Sequence, residues 1–168
     1  MANDGKIYMS AKVLPDVIKK HFTGMSTVVT PATANEKWYY KTTLLSSTSA
    51  DLIAGSFLGA NAGTTSTSSP AAITTSDKVR FLFIKHSGTT DGTTVTSESI
   101  NLCFDGGTAA YNLADSIEIG PGEAFYCKCP NTTVGNLHAA VVDTNMNDVG
   151  SAGEGNVQCF VAALIDDV

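Results

Sequence analysis

Residues 116–129 read SIEIGPGEAFYCKC, and this stretch decides the fold class because it joins two strand-like runs through a turn. Ser116–Ile119 and Ala124–Cys129 are short, and both alternate apolar and polar residues, which is the period of a half-buried strand. The intervening Gly-Pro-Gly-Glu is typical of a tight turn, because Gly tolerates positive φ and Pro presets the first corner. We therefore predict that the two runs pair as an antiparallel hairpin.

Further strand-like runs lie on both sides of this stretch, with Gly-, Asp- and Thr-rich turns between them. Their spacing is roughly the 8 to 12 residues that sandwiches and barrels show. These runs cover residues 36–45, 78–85, 99–104, 137–142 and 157–165. No long amphipathic helix separates the runs after residue 78, so parallel β-α-β crossovers are excluded there. The chain is predicted to be all-β, an antiparallel β-sandwich of which the jelly roll is one candidate form.

The side of each strand that faces the core is predicted from the same alternation, because residues two apart share a face of a strand. The inward set is predicted to contain Phe81, Phe83, Leu102, Phe104, Ile117, Ile119, Phe125, Cys127, Ala139, Val141, Phe160 and Ala162.

The first residues of the chain fit the sandwich pattern poorly. We predict an irregular N-terminal arm over residues 1–22, followed by the sandwich domain over residues 23–168. The arm contains a candidate strand at Lys6–Val13 and a candidate helical turn that starts at Pro15. Residues 59–70 (GANAGTTSTSSP) lack apolar periodicity and are predicted to form a surface loop.

Composition narrows the classes of partner. The chain of 168 residues is 43% hydrophobic and only 15% charged, with a formal charge of −6. A negative chain without a basic cluster repels phosphate groups, so nucleic acid is not expected as a partner. No stretch reaches the roughly 20 apolar residues of a membrane span, and residues 1–12 lack the apolar core of a signal peptide. We expect synthesis in the cytoplasm and no membrane partner.

The cysteines form the first candidate metal site. Cys127 and Cys129 would project from one face of a strand, and with Cys103, Cys159 or His138 they could bind zinc. Structural zinc sites place two to four residues between paired cysteines on a turn, however, so a strand pair at i, i+2 fits poorly. Buried free thiols are the preferred interpretation, and no metal is predicted.

The other candidate sites are also explained better by ordinary structure. Residues 143–154 place oxygen-bearing side chains at positions 1, 3, 5 and 12 of a calcium-loop pattern, but Asp148 stands where that loop requires Gly. His21, His86 and His138 are scattered, and none has a carboxylate or hydroxyl at a spacing that sequence alone could assign to a triad. We predict no catalytic, cofactor-binding or metal-binding residues and no enzymatic activity.

The C-terminal half, from about residue 78, resembles small virion structural proteins of tailed bacteriophages, the kind that decorate or cement a capsid. The segments that carry the resemblance are KVRFLFIKHSGT at 78–89, INLCFDGG at 100–107, IEIGPGEAFYCKC at 117–129, NLHAAVVD at 136–143 and VQCFVAALIDDV at 157–168. The resemblance covers about half of the chain and includes no catalytic motif. It implies a non-enzymatic protein on the capsid surface of a virion, made in the host cytoplasm and bound to the major capsid protein or another virion protein.

Symmetric shells favour closed homo-oligomers at their local axes, and we expect a trimer. The alternative is a carbohydrate-binding or receptor-binding sandwich module of a phage tail or fibre. Such a module would use exposed aromatic residues with polar groups around them. The candidates for that role are Trp38, Tyr39, Tyr40 and Tyr111.

Overall fold

The computed structural model describes residues 5–12, 21–28, 36–54, 73–109, 115–142, 155–166 and 168. The strands are β1 (Gly5–Lys12), β2 (His21–Val28), β3 (Glu36–Leu45), β4 (Ala50–Asp51), β5 (Lys78–His86), β6 (Ser99–Cys103), β7 (Ser116–Ile119), β8 (Ala124–Thr133), β9 (His138–Val142) and β10 (Val157–Asp166). The described ranges contain one 3₁₀ turn, Val134–Asn136, which lies between β8 and β9. In the same ranges no helix is long and apolar enough to cross a membrane.

The strands are organised as two four-stranded sheets and a separate two-stranded ribbon. The first sheet, called the β3 sheet, has the order β3-β10-β5-β8, and the second, called the β4 sheet, has the order β4-β9-β6-β7. The ribbon consists of β1 and β2. Every pairing between these strands is antiparallel. The predicted all-β, antiparallel architecture is confirmed.

Strand pairing from β3 to β10 is nested. The first strand of this series pairs with the last, β3 with β10, and the second with the next to last, β4 with β9. The third pair is β5 with β8, and the innermost pair is β6 with β7. Alternate pairs belong to alternate sheets, so the chain passes repeatedly from one sheet to the other.

The two sheets enclose one apolar core. Leu82 and Ile84 of β5 belong to the same buried cluster as Ile100 and Leu102 of β6 and Val141 of β9. These side chains are almost completely excluded from solvent. Full burial of such a side chain contributes about 1.5–3 kcal/mol relative to exposure, so this inter-sheet core supplies the main stabilisation of the fold.

The predicted inward set is confirmed for most of its members. Eight of them are buried in the core or packed against it, namely Leu102, Phe104, Ile117, Ile119, Phe125, Cys127, Ala139 and Val141. The prediction is wrong for four residues of β5 and β10, which lie on the face turned away from the core, namely Phe81, Phe83, Phe160 and Ala162. Both strands are apolar on both faces, so alternation alone does not fix which face is inward.

The predicted hairpin between residues 116–119 and 124–129 is wrong. The two strands and the turn between them exist, but β7 pairs with β6 in one sheet and β8 pairs with β5 in the other. The turn therefore carries the chain across the sandwich. A turn signal in the sequence marks the reversal of chain direction, whereas the choice of partner depends on which strands the whole fold places alongside.

Candidate interaction surface

The face of the β3 sheet turned away from the core is rich in aromatic and apolar side chains, and we call it the outer face. Its central row runs across all four strands as Tyr40, Ala162, Phe83 and Tyr126, which are partners in register. The adjacent row brings Phe160 between Thr42 and Lys85. A small alanine between two rings makes a shallow depression in the middle of the face.

The outer face is open to solvent around this depression. Tyr40 is 58% exposed and Leu44, four positions further along β3 on the same side, is 60% exposed, while Phe83, Tyr126 and Phe160 are half-buried. Contiguous apolar surface of this kind marks an interaction site in a protein that exists in water. The aromatic side chains are also the residue types that dominate binding energy at interfaces.

The opposite side of the sandwich is covered by the chain itself. Cys103 and Ala140, on the outward side of the β4 sheet, form a buried cluster with Ala109 from the segment that follows β6. The Asn101 side-chain amide donates to the Ala109 carbonyl at 3.4 Å. One sheet therefore has its own cover, whereas the outer face of the other has exposed rings.

The edges of the β3 sheet are less suited to pairing with another chain. β3 is one edge strand, and Lys41 sits on its core-facing side, in register with the buried Val161. β8 is the other edge strand and contains Pro130, which has no N–H to donate, beside a break in register between Val79 and Phe81 on β5. Inward-pointing charges, prolines and bulges are devices that prevent edge-to-edge pairing. The outer face of the β3 sheet, and not either of its edge strands, is therefore the surface available to another chain.

A constellation that the sequence did not predict joins Ser49, Asp51 and His138. The Ser49 Oγ lies 3.4 Å from Nδ1 of His138, and an Asp51 carboxylate oxygen lies 3.1 Å from Nε2. The Ser49 Oγ also accepts the Ala109 N–H at 3.0 Å. The three residue types are those of a hydrolase triad, and Asp51 pairs with His138 because β4 lies beside β9. In this arrangement the three side chains connect the segment around Ala109, which covers the β4 sheet, to β4 and β9, and this is a structural role.

The four cysteines are free thiols. Cys127 and Cys129 share a face of β8, as predicted, with their Sγ atoms 3.2 Å apart. The hydrogen bond that the Cys129 thiol shares with Cys127, together with burial, raises the pKa of Cys129, and burial raises the pKa of Cys159 to about 12. Cys103 belongs to the separate cluster with Ala109 and Ala140. Within the described residues no group of three or more His, Cys, Asp or Glu side chains is arranged to hold a metal ion.

His86 is a second polar group that the fold uses internally. It is fully buried, its Nδ1 accepts the Gly88 N–H at 2.8 Å, and its Nε2 lies 2.9 Å from the Glu98 carbonyl. Both contacts are satisfied only by the neutral ring with the proton on Nε2. Burial lowers the pKa of His86, which favours that neutral form. His86 therefore anchors both ends of the exposed loop that contains Asp91.

The remaining candidates from the sequence lie in the core, on the outer face or outside the described residues. The calcium-loop pattern at 143–154, the loop at 59–70 and Tyr111 lie outside the described residues. Tyr39 is 2% exposed and belongs to the core, so it is not available to a sugar or receptor. Tyr40 lies on the outer face. That face was not found from the sequence because the four rings at its centre are on different strands.

Comparison with known proteins adds no relative. No family model matches the sequence, and neither a curated protein nor a solved structure with significant similarity was found.

Proposed function

We propose that this chain is a non-enzymatic structural subunit of a virus particle, which decorates or cements the outside of a phage capsid as a symmetric oligomer, most simply a trimer. The observation that carries the proposal is the open aromatic outer face around Tyr40, Ala162 and Phe83. A face of this kind supports distributed contacts between folded proteins better than recognition of a small molecule in a pocket.

The order of the strands gives further support. Two sheets of orders β3-β10-β5-β8 and β4-β9-β6-β7, connected by nested pairs, are what two interlocked Greek keys produce. We infer that the sandwich is a jelly roll, an architecture found in viral capsid proteins and in lectins. Fold alone does not determine function, so the architecture only agrees with the proposal.

The proposed partners are other copies of this chain and the major capsid protein or another virion protein. The formal charge of −6 opposes nucleic acid and anionic membrane surfaces as partners. The proposed location is the capsid surface of the virion, reached after synthesis in the host cytoplasm.

The test is the presence and stoichiometry of the chain in purified particles. Quantitative mass spectrometry of intact particles should find it in a fixed ratio to the major capsid protein, and sedimentation velocity of the isolated protein should find a closed oligomer. A monomeric protein that is absent from purified particles would remove the capsid proposal.

Recognition of carbohydrate is a second candidate, favoured by the exposed Tyr40 and by Tyr126 at the opposite edge of the outer face. Flat aromatic rings with polar neighbours are what a sugar-binding surface needs. Glycan-array binding that is lost in Tyr40→Ala would support this function, whereas no binding to any glycan would leave the structural role.

A further inference from the structure

Within the described ranges, the β1–β2 ribbon belongs to neither of the two four-stranded sheets. The two strands pair along all eight residues, from Gly5 with Val28 to Lys12 with His21, and neither hydrogen-bonds with another described strand. Tyr8 and Met25, which face each other across the ribbon, are 72% and 61% exposed. A single two-stranded hairpin is at best marginally stable in water, so this ribbon needs a surface to cover it.

The outer face of the β3 sheet also has apolar side chains that are exposed to solvent. Its central row has the half-buried Ala162 and Phe83 beside Tyr40, which is 58% exposed, in the same molecule in which Tyr8 and Met25 are exposed. The ribbon of a given copy therefore does not cover that copy's own outer face. Among the described residues, the ribbon of another copy is a paired apolar segment with exposed side chains that could cover it.

We propose that the β1–β2 ribbon of one copy packs across the outer face of the β3 sheet of a neighbouring copy, with Tyr8 and Met25 against the rings around Ala162. This inference rests on the proposed function, because it names the contact by which the oligomer would assemble. The ribbon and the face are different surfaces, so the contact is heterologous. Contacts of that type form rings when the rotation between copies closes and open filaments when it does not, and a trimer is the smallest ring above a pair.

The dimensions fit this contact. Eight residues of ribbon span about 27 Å and the ten residues of β10 span about 34 Å at the usual rise per residue of a strand. Two strands of ribbon at the usual spacing of about 4.8 Å would lie over the two central strands, β10 and β5, where the depression is. Because the edge strands of the β3 sheet are unsuited to pairing with another chain, the ribbon would bind by packing on the outer face.

The distribution of charge also favours attachment to another copy. Residues 1–28 contain four lysines and two aspartates, a formal charge of +2, which leaves −8 for residues 29–168 of the total of −6. A positive segment is attracted to the negative body of a neighbour, and this attraction accelerates the encounter.

A photo-cross-linking experiment tests which copy is contacted. Protein carrying Tyr8→p-benzoylphenylalanine is produced in normal and in ¹⁵N-labelled form, and the two forms are dissociated, mixed and reassembled before irradiation. We expect cross-links from residue 8 to peptides that contain Phe83, Tyr126 or Phe160, with normal-to-labelled pairs present. Cross-links within one isotope form only, cross-links to other peptides, or a monomer that gives none would overturn the inference.

Matched variants provide a second measurement. Met25→Asp on the ribbon and Ala162→Glu on the outer face should each weaken self-association by at least about tenfold in sedimentation equilibrium, as expected of central interface positions. Val95→Asp is the control, because Val95 is 83% exposed in the loop after β5 and lies on neither surface. Equal self-association of all three variants and the unmodified protein would overturn the inference.

The proposed function and this contact can fail separately. An oligomer that persists after Met25→Asp, on particles that still contain the chain, would remove the ribbon contact and retain the capsid role. Cross-links from residue 8 to the outer face of another copy, in a protein that does not bind capsids, would retain the ribbon contact and remove the capsid role.

Discussion

Several buried polar residues in this protein have hydrogen-bond partners inside the fold. Asp77 is completely buried and accepts both the N–H and the hydroxyl of Thr74, each at 2.9 Å, at the turn that begins β5. Arg80 forms an ion pair with Asp166 across the neighbouring strands. Interior groups like these are costly to leave unpaired, so single substitutions reveal how each is held.

The thiols of β8 give the first prediction at this scale. The double variant Cys127→Ser/Cys129→Ser should lower the free energy of unfolding by about 1–3 kcal/mol for each hydroxyl forced into an apolar site. The double alanine variant is the matched control, since it removes sulfur without adding a polar group and should cost less. Urea denaturation measures both. Stoichiometric zinc in the carefully purified protein, or loss of folding on chelation, would contradict the structural role of these thiols.

His86 gives the second prediction, which concerns pH. Burial lowers the pKa of His86 below its ordinary value of 6.5, so the unfolded chain binds this proton at a higher pH than the folded protein does. Its contribution to stability is fully present above about pH 6.5 and is lost as pH falls below that value, with a slope of at most about 1.4 kcal/mol per pH unit.

The measurement is the urea midpoint of the unmodified protein and of His86→Gln between pH 5 and 7.5. The glutamine amide can replace both hydrogen bonds without titrating, so the difference between the two proteins should fall as pH falls below 6.5. If the two proteins show parallel pH dependence, carboxylates and not His86 control stability in this range.

At the scale of elements, the turn between β7 and β8 decides where the chain leaves one sheet for the other. Gly122 has a φ of +81°, and the Glu123 N–H donates to the Gly120 carbonyl at 3.0 Å. Pro121 precedes this glycine, which is the arrangement that a type II turn requires. The Glu123 carboxylate also accepts the Gly120 N–H at 2.8 Å, so the turn is closed from both sides.

Gly122→Ala should therefore destabilise the protein by about 1–2 kcal/mol through backbone strain alone. A Cβ at this position would meet no atom within 4 Å, so no steric clash contributes. Gly122→Asn is the matched comparison, because asparagine adopts left-handed backbone conformations more readily and should cost less. Thermal unfolding of the three proteins tests the order Gly, Asn, Ala. Equal stability of all three would show that the turn is not under this constraint.

The two faces of β5 give the fourth prediction. Leu82 is fully buried in the core, whereas Phe83, the next residue, is half-buried on the outer face. Leu82→Asp should unfold the protein, because an unpaired charge in an apolar core costs several kcal/mol. Phe83→Asp should leave a folded chain with impaired self-association. Circular dichroism and sedimentation velocity separate the two effects, and the reverse result would mean that the faces are assigned wrongly.

At the scale of the whole molecule, a sandwich with its own core carries a ribbon whose described side chains are not members of that core. The domain boundary predicted at residues 22 and 23 falls inside β2, which runs from His21 to Val28. The boundary remains a prediction, and the ribbon is removed as a unit only by a deletion that reaches residue 28. A terminal segment that is ordered on a partner adds contact area without remodelling the folded domain.

Deletion of residues 1–28 should leave the sandwich folded and weaken assembly and attachment to capsids. The expected readouts are an unchanged β-type circular dichroism spectrum, a smaller sedimenting species and reduced co-sedimentation with particles. Deletion of residues 1–4 is the control, because it keeps both strands of the ribbon. If the protein that lacks residues 1–28 binds particles as well as the full chain does, the N-terminal segment has no role in attachment.

The fold class and the positions of most strands could be predicted from the sequence, whereas β2 and β4 were not predicted. Residues 116–119 were bounded by turn residues clearly enough to be predicted as the strand that the structure contains, and residues 36–45 were read as a strand with the correct limits. Alternation over 137–142 also placed Ala139 and Val141 correctly in the core. These features depend on neighbours in the chain, which is why a single sequence is enough to predict them.

Tertiary structure alone decided which strands pair, which faces of β5 and β10 point inward, and which surface is left open. Phe81, Leu82, Phe83 and Ile84 are all apolar, so the local pattern permits either face, and only the packing of the β4 sheet selects Leu82 and Ile84. Tyr40, Ala162 and Phe83 become neighbours because three strands distant in sequence lie side by side. Contacts of this kind depend on the whole chain, and a local sequence pattern contains no information about them.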